Sequence, residues 1–198
     1  ACRPTLKASN TTHDIRITTK RSELDGGDFL FLVSCTEMIP ATIRDLYKHT
    51  LVVHASDLPK GKGWSPHIWA VLRGSNTITV SLFEAADKVD AGPIWKKLSI
   101  PLEGHELYDE INNRLFETTL NLMDYAIENP GLEPQPQNPS EESFYKKRNP
   151  SDSQIDPEKT IAAQFNLLRV CDPDRFPAFF DYAGCRYRII IEKVDTED

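Results

Sequence analysis

The sequence predicts an α/β domain, a mostly parallel sheet flanked by helices, followed by a C-terminal helix and β-hairpin. Three observations carry this. The run Phe29–Cys35 is apolar at nearly every position, as in a strand covered on both faces at the centre of a parallel sheet. Pro40 opens a helix through about Tyr47, and Thr50–His54 is a second apolar run, so the segment reads as a strand-helix-strand unit. From Glu106 to about Glu128, Leu107, Ile111, Leu115, Leu122 and Ala126 recur near helical spacing, which supplies a helix to cover the sheet.

The remaining elements follow in order. His13–Thr19 alternates as a half-buried strand should, and Asp25-Gly-Gly-Asp28 marks a turn. Ser65 can cap a helix whose first residue is Pro66 and whose stop is Gly74, giving a short helix over Pro66–Arg73. Thr77–Phe83 alternates as a strand, a polar loop delivers Asp90, and Ile94–Ile100 reads as another short strand. The stretch from 129 to 149 is rich in Pro, Gln, Asn, Ser and Glu and reads as a tether. The boundaries are thus a main domain over 1–129, a linker over 130–150 and a tail unit over 151–198. In the tail, Asp156 and Pro157 start a helix carrying Ile161, Phe165 and Leu168, and Ala178–Tyr182 with Arg186–Glu192 form a hairpin. Its residues Phe179, Tyr182, Tyr187, Ile189 and Ile191 recur as one face, expected to pack on the main domain or on a second subunit; a homodimer is one of those two readings.

Length and composition narrow the function classes. At 198 residues the chain can build one main core with a small appendage. A net charge of −7 argues against broad nucleic-acid binding, which needs a surplus of Lys and Arg on at least one face, so an anionic substrate must be gripped locally. No apolar run approaches the roughly 20 residues of a membrane span, and no leader-like start is visible, so a cytoplasmic protein without membrane attachment is expected. Cys2, Cys35, Cys171 and Cys185 show no CxxC pairing and read as reduced thiols without metal, Cys35 packing in its strand as a small hydrophobe.

The chemistry concentrates in His54-Ala-Ser-Asp-Leu-Pro-Lys-Gly-Lys-Gly-Trp-Ser-Pro66 and Val89-Asp-Ala-Gly-Pro-Ile94. His54 leaves a strand at its carboxyl end, where open α/β sheets bind ligands, and Asp90 can close on it to orient the ring. Alone, one His and one Asp are more often unrelated groups; the motifs around them reverse that. Ser56 can turn its hydroxyl to the site, although a Ser just past a strand equally often bonds the local backbone. Lys60-Gly-Lys-Gly63 lacks the spacing of a phosphate loop, so its glycines serve a tight turn while Lys60 and Lys62 can meet a nucleotide diphosphate arriving from solvent. His49, His67 and His105 read as surface or capping residues, and Tyr145-Lys-Lys-Arg148 as a solvated basic run.

With His54-x-Ser56-x-Leu58-Pro59, Gly63, Pro66 and Asp90-x-Gly92 in order, the chain from about residue 14 onward resembles the formyltransferase family that uses 10-formyltetrahydrofolate. Within it, Val53–Pro66 and the tail segments Gln164–Arg169 and Arg175–Phe180 look most like small stand-alone amino-sugar N-formyltransferases. The resemblance implies a Rossmann-like sheet and formyl transfer from 10-formyltetrahydrofolate to the primary amine of a nucleotide-linked amino sugar, without a metal. His54 would be the general base and Asp90 its partner. Met38, Ile39, Pro40, Phe83, Ala86 and Asp87 align with segments that line the folate pocket, largely through backbone groups, and the linker would return across the domain. Two departures are visible. Val52 stands where the family places an asparagine whose amide helps hold the formyl oxygen, and the family's first strand is expected to be missing, since the chain begins at Ala1 with at most the end of the following helix. These departures suggest, as an alternative, a catalytically weak or inactive binding module of the same fold. A methionyl-tRNA formyltransferase-like enzyme is the other alternative, although that activity calls for a larger C-terminal domain and a basic surface.

Overall fold

The computed structural model describes residues 13–194; Cys2 therefore lies outside the described residues. The chain builds β1 (Gly27–Leu32), α1 (Ala41–Arg44), β2 (Tyr47–His54), β3 (Lys62–Gly63), α2 (Pro66–Leu72), β4 (Thr77–Glu84), β5 (Ile94–Pro101), α3 (Tyr108–Glu128), β6 (Phe144–Tyr145), α4 (Ile161–Arg169), β7 (Ala178–Tyr182) and β8 (Cys185–Ile189). The expected α/β class, the flanking helices and the C-terminal hairpin are all present.

The main sheet has the order β1-β2-β4-β5. β1 and β2 run parallel, with Leu30 opposite Thr50 and Leu32 opposite Val52. The sheet then becomes mixed, because β4 runs antiparallel to both β2 and β5. Helix length explains the reversal. At seven residues α2 spans only about 10 Å, too short to carry the chain back along the roughly 26 Å of an eight-residue strand. β4 therefore starts at the end where β2 stops, and His54 faces Ser81 across the ladder.

One face of the sheet holds the main core. Leu51, Ile78, Val80, Leu82 and Ile100 pack there against Val71 of α2 and Ile111, Leu122 and Ala126 of α3. These are the α3 positions that helical spacing selected, with Leu115 at the margin. Phe29, His49 and Trp95 form a contiguous aromatic group, and Glu84 accepts hydrogen bonds from Trp95 Nε1 at 2.9 Å and His49 Nδ1 at 3.1 Å. His49 is thus a bonded, half-buried ring rather than a surface residue.

Several expectations are corrected. Among the described residues His13–Thr19 forms no strand: Ile15 and Ile17 are exposed, and Arg16 bonds Asp25. Phe29–Cys35 is not the centre of the described sheet. β1 stops at Leu32, lies at the edge and is only half buried, and Cys35 is exposed beyond it. α1 is a single turn, because the chain enters β2 at Tyr47. Ser65 holds the N-cap position of α2 with φ +48° and no side-chain cap bond, while Pro66 and Gly74 begin and stop the helix as their backbone preferences dictate. α4 starts at Ile161, capped by Thr160 Oγ1 on the Ala163 amide, rather than at Asp156.

The tail has its own small core of Ile155, Leu168, Cys171 and Ala178, against which Phe180, Ile189 and Ile191 pack. Of the expected hairpin face only Ile189 and Ile191 pack in this core, with Ala178 and Phe180 beside Leu168 of α4, while Tyr182 and Tyr187 are exposed. Polar contacts tie this unit to the main sheet's helices: Arg169 lies 3.5 Å from Glu106, and Tyr108 donates to Asp172 at 2.9 Å.

Candidate active site

β2 ends at His54, a strand paired on both sides, so the imidazole leaves the sheet at a fixed point. The loop that follows is pinned from the neighbouring strands. Ser81 Oγ of β4 donates to the Ser56 carbonyl at 2.7 Å, and Lys97 Nζ of β5 reaches both Asp57 and the Leu58 carbonyl at 2.6 Å. The chain then turns back through Gly61, whose carbonyl lies 3.0 Å from His54 Nε2. A carbonyl oxygen only accepts, so Nε2 carries the proton and Nδ1 holds the lone pair.

Asp90 arrives on the loop between β4 and β5. Its Oδ2 is 3.7 Å from the same His54 Nε2, and both side chains are 11 % exposed. That is ion-pair distance rather than a hydrogen bond. The carboxylate is instead held by the Gly63 amide at 2.9 Å. Gly61 therefore orients the ring, and Asp90 places a carboxylate beside it. Asp90 takes φ +51°, a left-handed conformation that aspartate tolerates better than most residues. Two residues on, a Cβ added at Gly92 would stand 1.8 Å from the Glu84 carbonyl oxygen, so only glycine lets this loop lie on the end of β4.

The other predicted residues separate into three groups. Ser56 comes to the site: it is buried, its Oγ has no hydrogen-bond partner among the described residues, and its Cβ packs against Gly61. Lys60 is exposed and lies 3.5 Å from Glu141. Lys62, in contrast, is fully buried with Nζ 2.7 Å from Glu142, so it does not face a ligand arriving from solvent. That expectation is corrected. Its ammonium, with that of Lys88, holds the Glu142 carboxyl below its usual range.

Of the expected folate-side residues, Met38 is exposed, Ile39 is buried and Pro40 caps α1. The loop bearing Ala86 and Asp87 is joined to α1 by the ion pair of Asp87 with Arg44, so the two segments border one region. Phe83 is 1 % exposed within β4 and stands behind the surface rather than on it.

Composition alone reads residues 135–145 as a tether, whereas the family resemblance implies a linker that returns across the domain, and these residues do lie across the site. Gln135 pairs with Ile94, Gln137 bonds the Asp90 loop, Ser143 Oγ accepts from the Gly61 amide at 2.8 Å, and the Ser143 carbonyl accepts from Lys62 N at 2.9 Å. β6 then runs parallel to β3, with Tyr145 beside Gly63. No local signal marks these positions, because a polar, proline-rich stretch has the same composition whether it hangs free or is bonded to a distant loop. His67 was also misread. It is half buried on α2, and burial, with the charges of His54 and Arg148, pushes it down to about 4, so it is neutral at pH 7. Among the described residues, no group of three or more His, Cys, Asp or Glu is arranged to hold a metal ion.

The fold and this pair define an α/β protein with an imidazole and a carboxylate enclosed by two glycine loops at the carboxyl end of a strand. The Formyl transferase family model matches residues 6–127, more than half of the chain, and the chain belongs to that family. It is 33 % identical over 121 residues to the methionyl-tRNA formyltransferase of Pseudothermotoga lettingae, a match covering 61 % of this chain and 40 % of that protein. The chain thus spans less than half the length of that relative. In structure it is similar to a methionyl-tRNA formyltransferase from Clostridium thermocellum, with a TM-score of 0.72, 23 % identity and coverage of 86 % of this chain and 74 % of the other. It is also similar to a sugar N-formyltransferase from a Shewanella species, with a TM-score of 0.67, 13 % identity and coverage of 85 % and 71 %. At these identities the two structures speak for the fold.

Proposed function

We propose that this chain transfers a formyl group from 10-formyltetrahydrofolate to the primary amine of a nucleotide-linked amino sugar. The observation that carries the reading is the His54–Asp90 pair, 3.7 Å apart and each side chain nine-tenths buried, within a chain of the formyl transferase family. The donor brings an activated formyl group, and the remaining work is proton movement and charge stabilisation. An amine attacking a carbonyl carbon must lose a proton while negative charge grows on the carbonyl oxygen. His54 Nδ1 has the lone pair to take that proton, because Nε2 is committed to Gly61. The imidazolium so formed is met by Asp90, which is already fixed by Gly63 and needs no reorganisation. Met38, Ile39, Pro40, Ala86 and Asp87 would border the folate, and Ser56 and Lys60 the acceptor; Lys62 is withdrawn from that set.

The sugar acceptor is supported by the motif over Val53–Pro66, by the tail segments Gln164–Arg169 and Arg175–Phe180, and by a net charge of −7, which suits a small anionic ligand better than a long polyanion. A second reading, formylation of methionyl-tRNA, is favoured by the 33 % identity to a relative of that name. Incubating the protein with 10-formyltetrahydrofolate and either a panel of nucleotide-linked amino sugars or charged initiator tRNA separates the two. Formyl incorporation into a sugar amine is expected. Incorporation into methionyl-tRNA alone would replace this reading with the second, and incorporation into neither would leave a binding module.

A further inference from the structure

Asp90 sits in a backbone conformation that few residues adopt, on a loop with little structure of its own, so something outside the loop must hold it. The strap over 135–145 does so through one side chain. Gln137 Nε2 donates to the Asp90 carbonyl at 3.0 Å and to the Gly92 carbonyl at 2.7 Å. Two carbonyls on one side settle the amide's orientation, since its oxygen could not face them. Gln137 Oε1 is buried and has no hydrogen-bond partner among the described residues.

The two bonds bracket the residue they restrain. They fix the carbonyls at Asp90 and Gly92, between which the loop turns onto β4, while the Asp90 carboxylate is received by the Gly63 amide at 2.9 Å. The same strap holds the opposite wall, where Ser143 accepts from the Gly61 amide and Gly61 in turn faces His54. Gln137 is thereby the connection between a remote segment and the distance from carboxylate to imidazole.

We propose that Gln137 is a positioning residue, acting through the Asp90–Gly92 backbone to set the Asp90 carboxylate against Gly63 and His54. The inference rests on the proposed roles of His54 and Asp90. Gln137 itself reaches neither the imidazole nor the carboxylate by a hydrogen bond. Its loss changes turnover by letting Asp90 drift, and misplacement of a charged group by about 1 Å can lower a rate by about 100-fold.

The test compares wild type with Gln137→Met, which keeps the length and removes both donors, and Gln137→Asn, which keeps the amide one methylene short. Formyl transfer kinetics are read beside hydrogen exchange of the Gly63 amide, the direct partner of Asp90. For Gln137→Met, kcat is expected to fall about 10- to 100-fold with KM values within about twofold, and Gly63 exchange to quicken. Gln137→Asn should lie between it and wild type, and it carries the comparison if the methionine variant does not fold. Unchanged Gly63 exchange in the folded variants would overturn the proposal whatever the activity. Faster exchange with unchanged kcat would also overturn it, as would a KM effect alone. If the wild-type protein forms no N-formyl product, the catalytic reading fails by itself, and the exchange comparison still decides whether Gln137 holds Asp90.

Discussion

Replacing Glu106 by glutamine is expected to remove a pH-dependent part of the stability that joins the tail to the main sheet. Glu106 is fully buried at the entrance to α3. Burial alone would push its carboxyl up, but the opposing contacts are stronger. The Glu103 and Gly104 amides donate to it at 2.8 and 3.0 Å, its own amide adds a third bond, and Arg114 lies 2.9 Å away. Together they lower it from 4.5 to about 2. A fall of that size corresponds to about 3 kcal/mol. Arg114 is 40 % exposed, so solvent screens part of this, and about 1–2 kcal/mol is the working value. The sign follows from the direction of the shift. A carboxyl more acidic in the folded state contributes fully above the unfolded value of 4.5, and the contribution is lost as pH falls from there toward 2. Urea midpoints measured for wild type and Glu106→Gln between neutral pH and about pH 2.5 should differ most at neutral pH, begin to converge as pH falls below about 4.5, and approach each other toward pH 2. Removing the charge also leaves the buried Arg169, 3.5 Å away, without its charge partner, which adds to the neutral-pH gap. A stability gap that stays constant across this window would refute the account of Glu106.

Two further substitutions test the site's geometry. Gly92→Ala should push the Asp90 loop off β4, because its Cβ would lie 1.8 Å from a backbone oxygen; a loss of about 1–3 kcal/mol in stability and a large fall in turnover are expected, and wild-type melting and kinetics would contradict the packing described. Val52 lies on β2 two residues before His54, on the same face, so Val52→Asn offers an amide where the oxyanion would form. A gain of up to about 100-fold in formyl transfer is expected, and a loss would show that another donor already serves.

How much of this was legible in the sequence differs from element to element. β4, β5 and α3 fall within two residues of their expected limits, and β2 ends at His54 as expected but begins three residues earlier, at Tyr47; each buries a face, and burial imposes its period on the sequence. His54 and Asp90 were legible for another reason: the residues beside them, Pro59, Gly63 and Gly92, are restricted by backbone geometry as well as chemistry. What failed was non-local. The alternation of His13–Thr19 satisfies a strand pattern, yet the segment is not a strand in the described structure, and the direction of β4 depends on where α2 delivers the chain. Lys62 looked like a surface cation until Glu142, distant in sequence, supplied its partner. Gln137 carried no signal, since its partners are two carbonyls on a loop far along the chain.

The central claim is that His54 accepts the amine proton and Asp90 stabilises the resulting charge. The direct measurement is single-turnover formyl transfer by His54→Asn and Asp90→Asn, with circular dichroism and melting temperature recorded on the same preparations. Asparagine preserves approximate size at both positions and tolerates the φ of +51° at residue 90. The account predicts folded proteins whose rate falls by about 10²–10⁴ for His54→Asn, the range for a lost general base, with a substantial loss for Asp90→Asn. Near wild-type transfer by folded His54→Asn would contradict it.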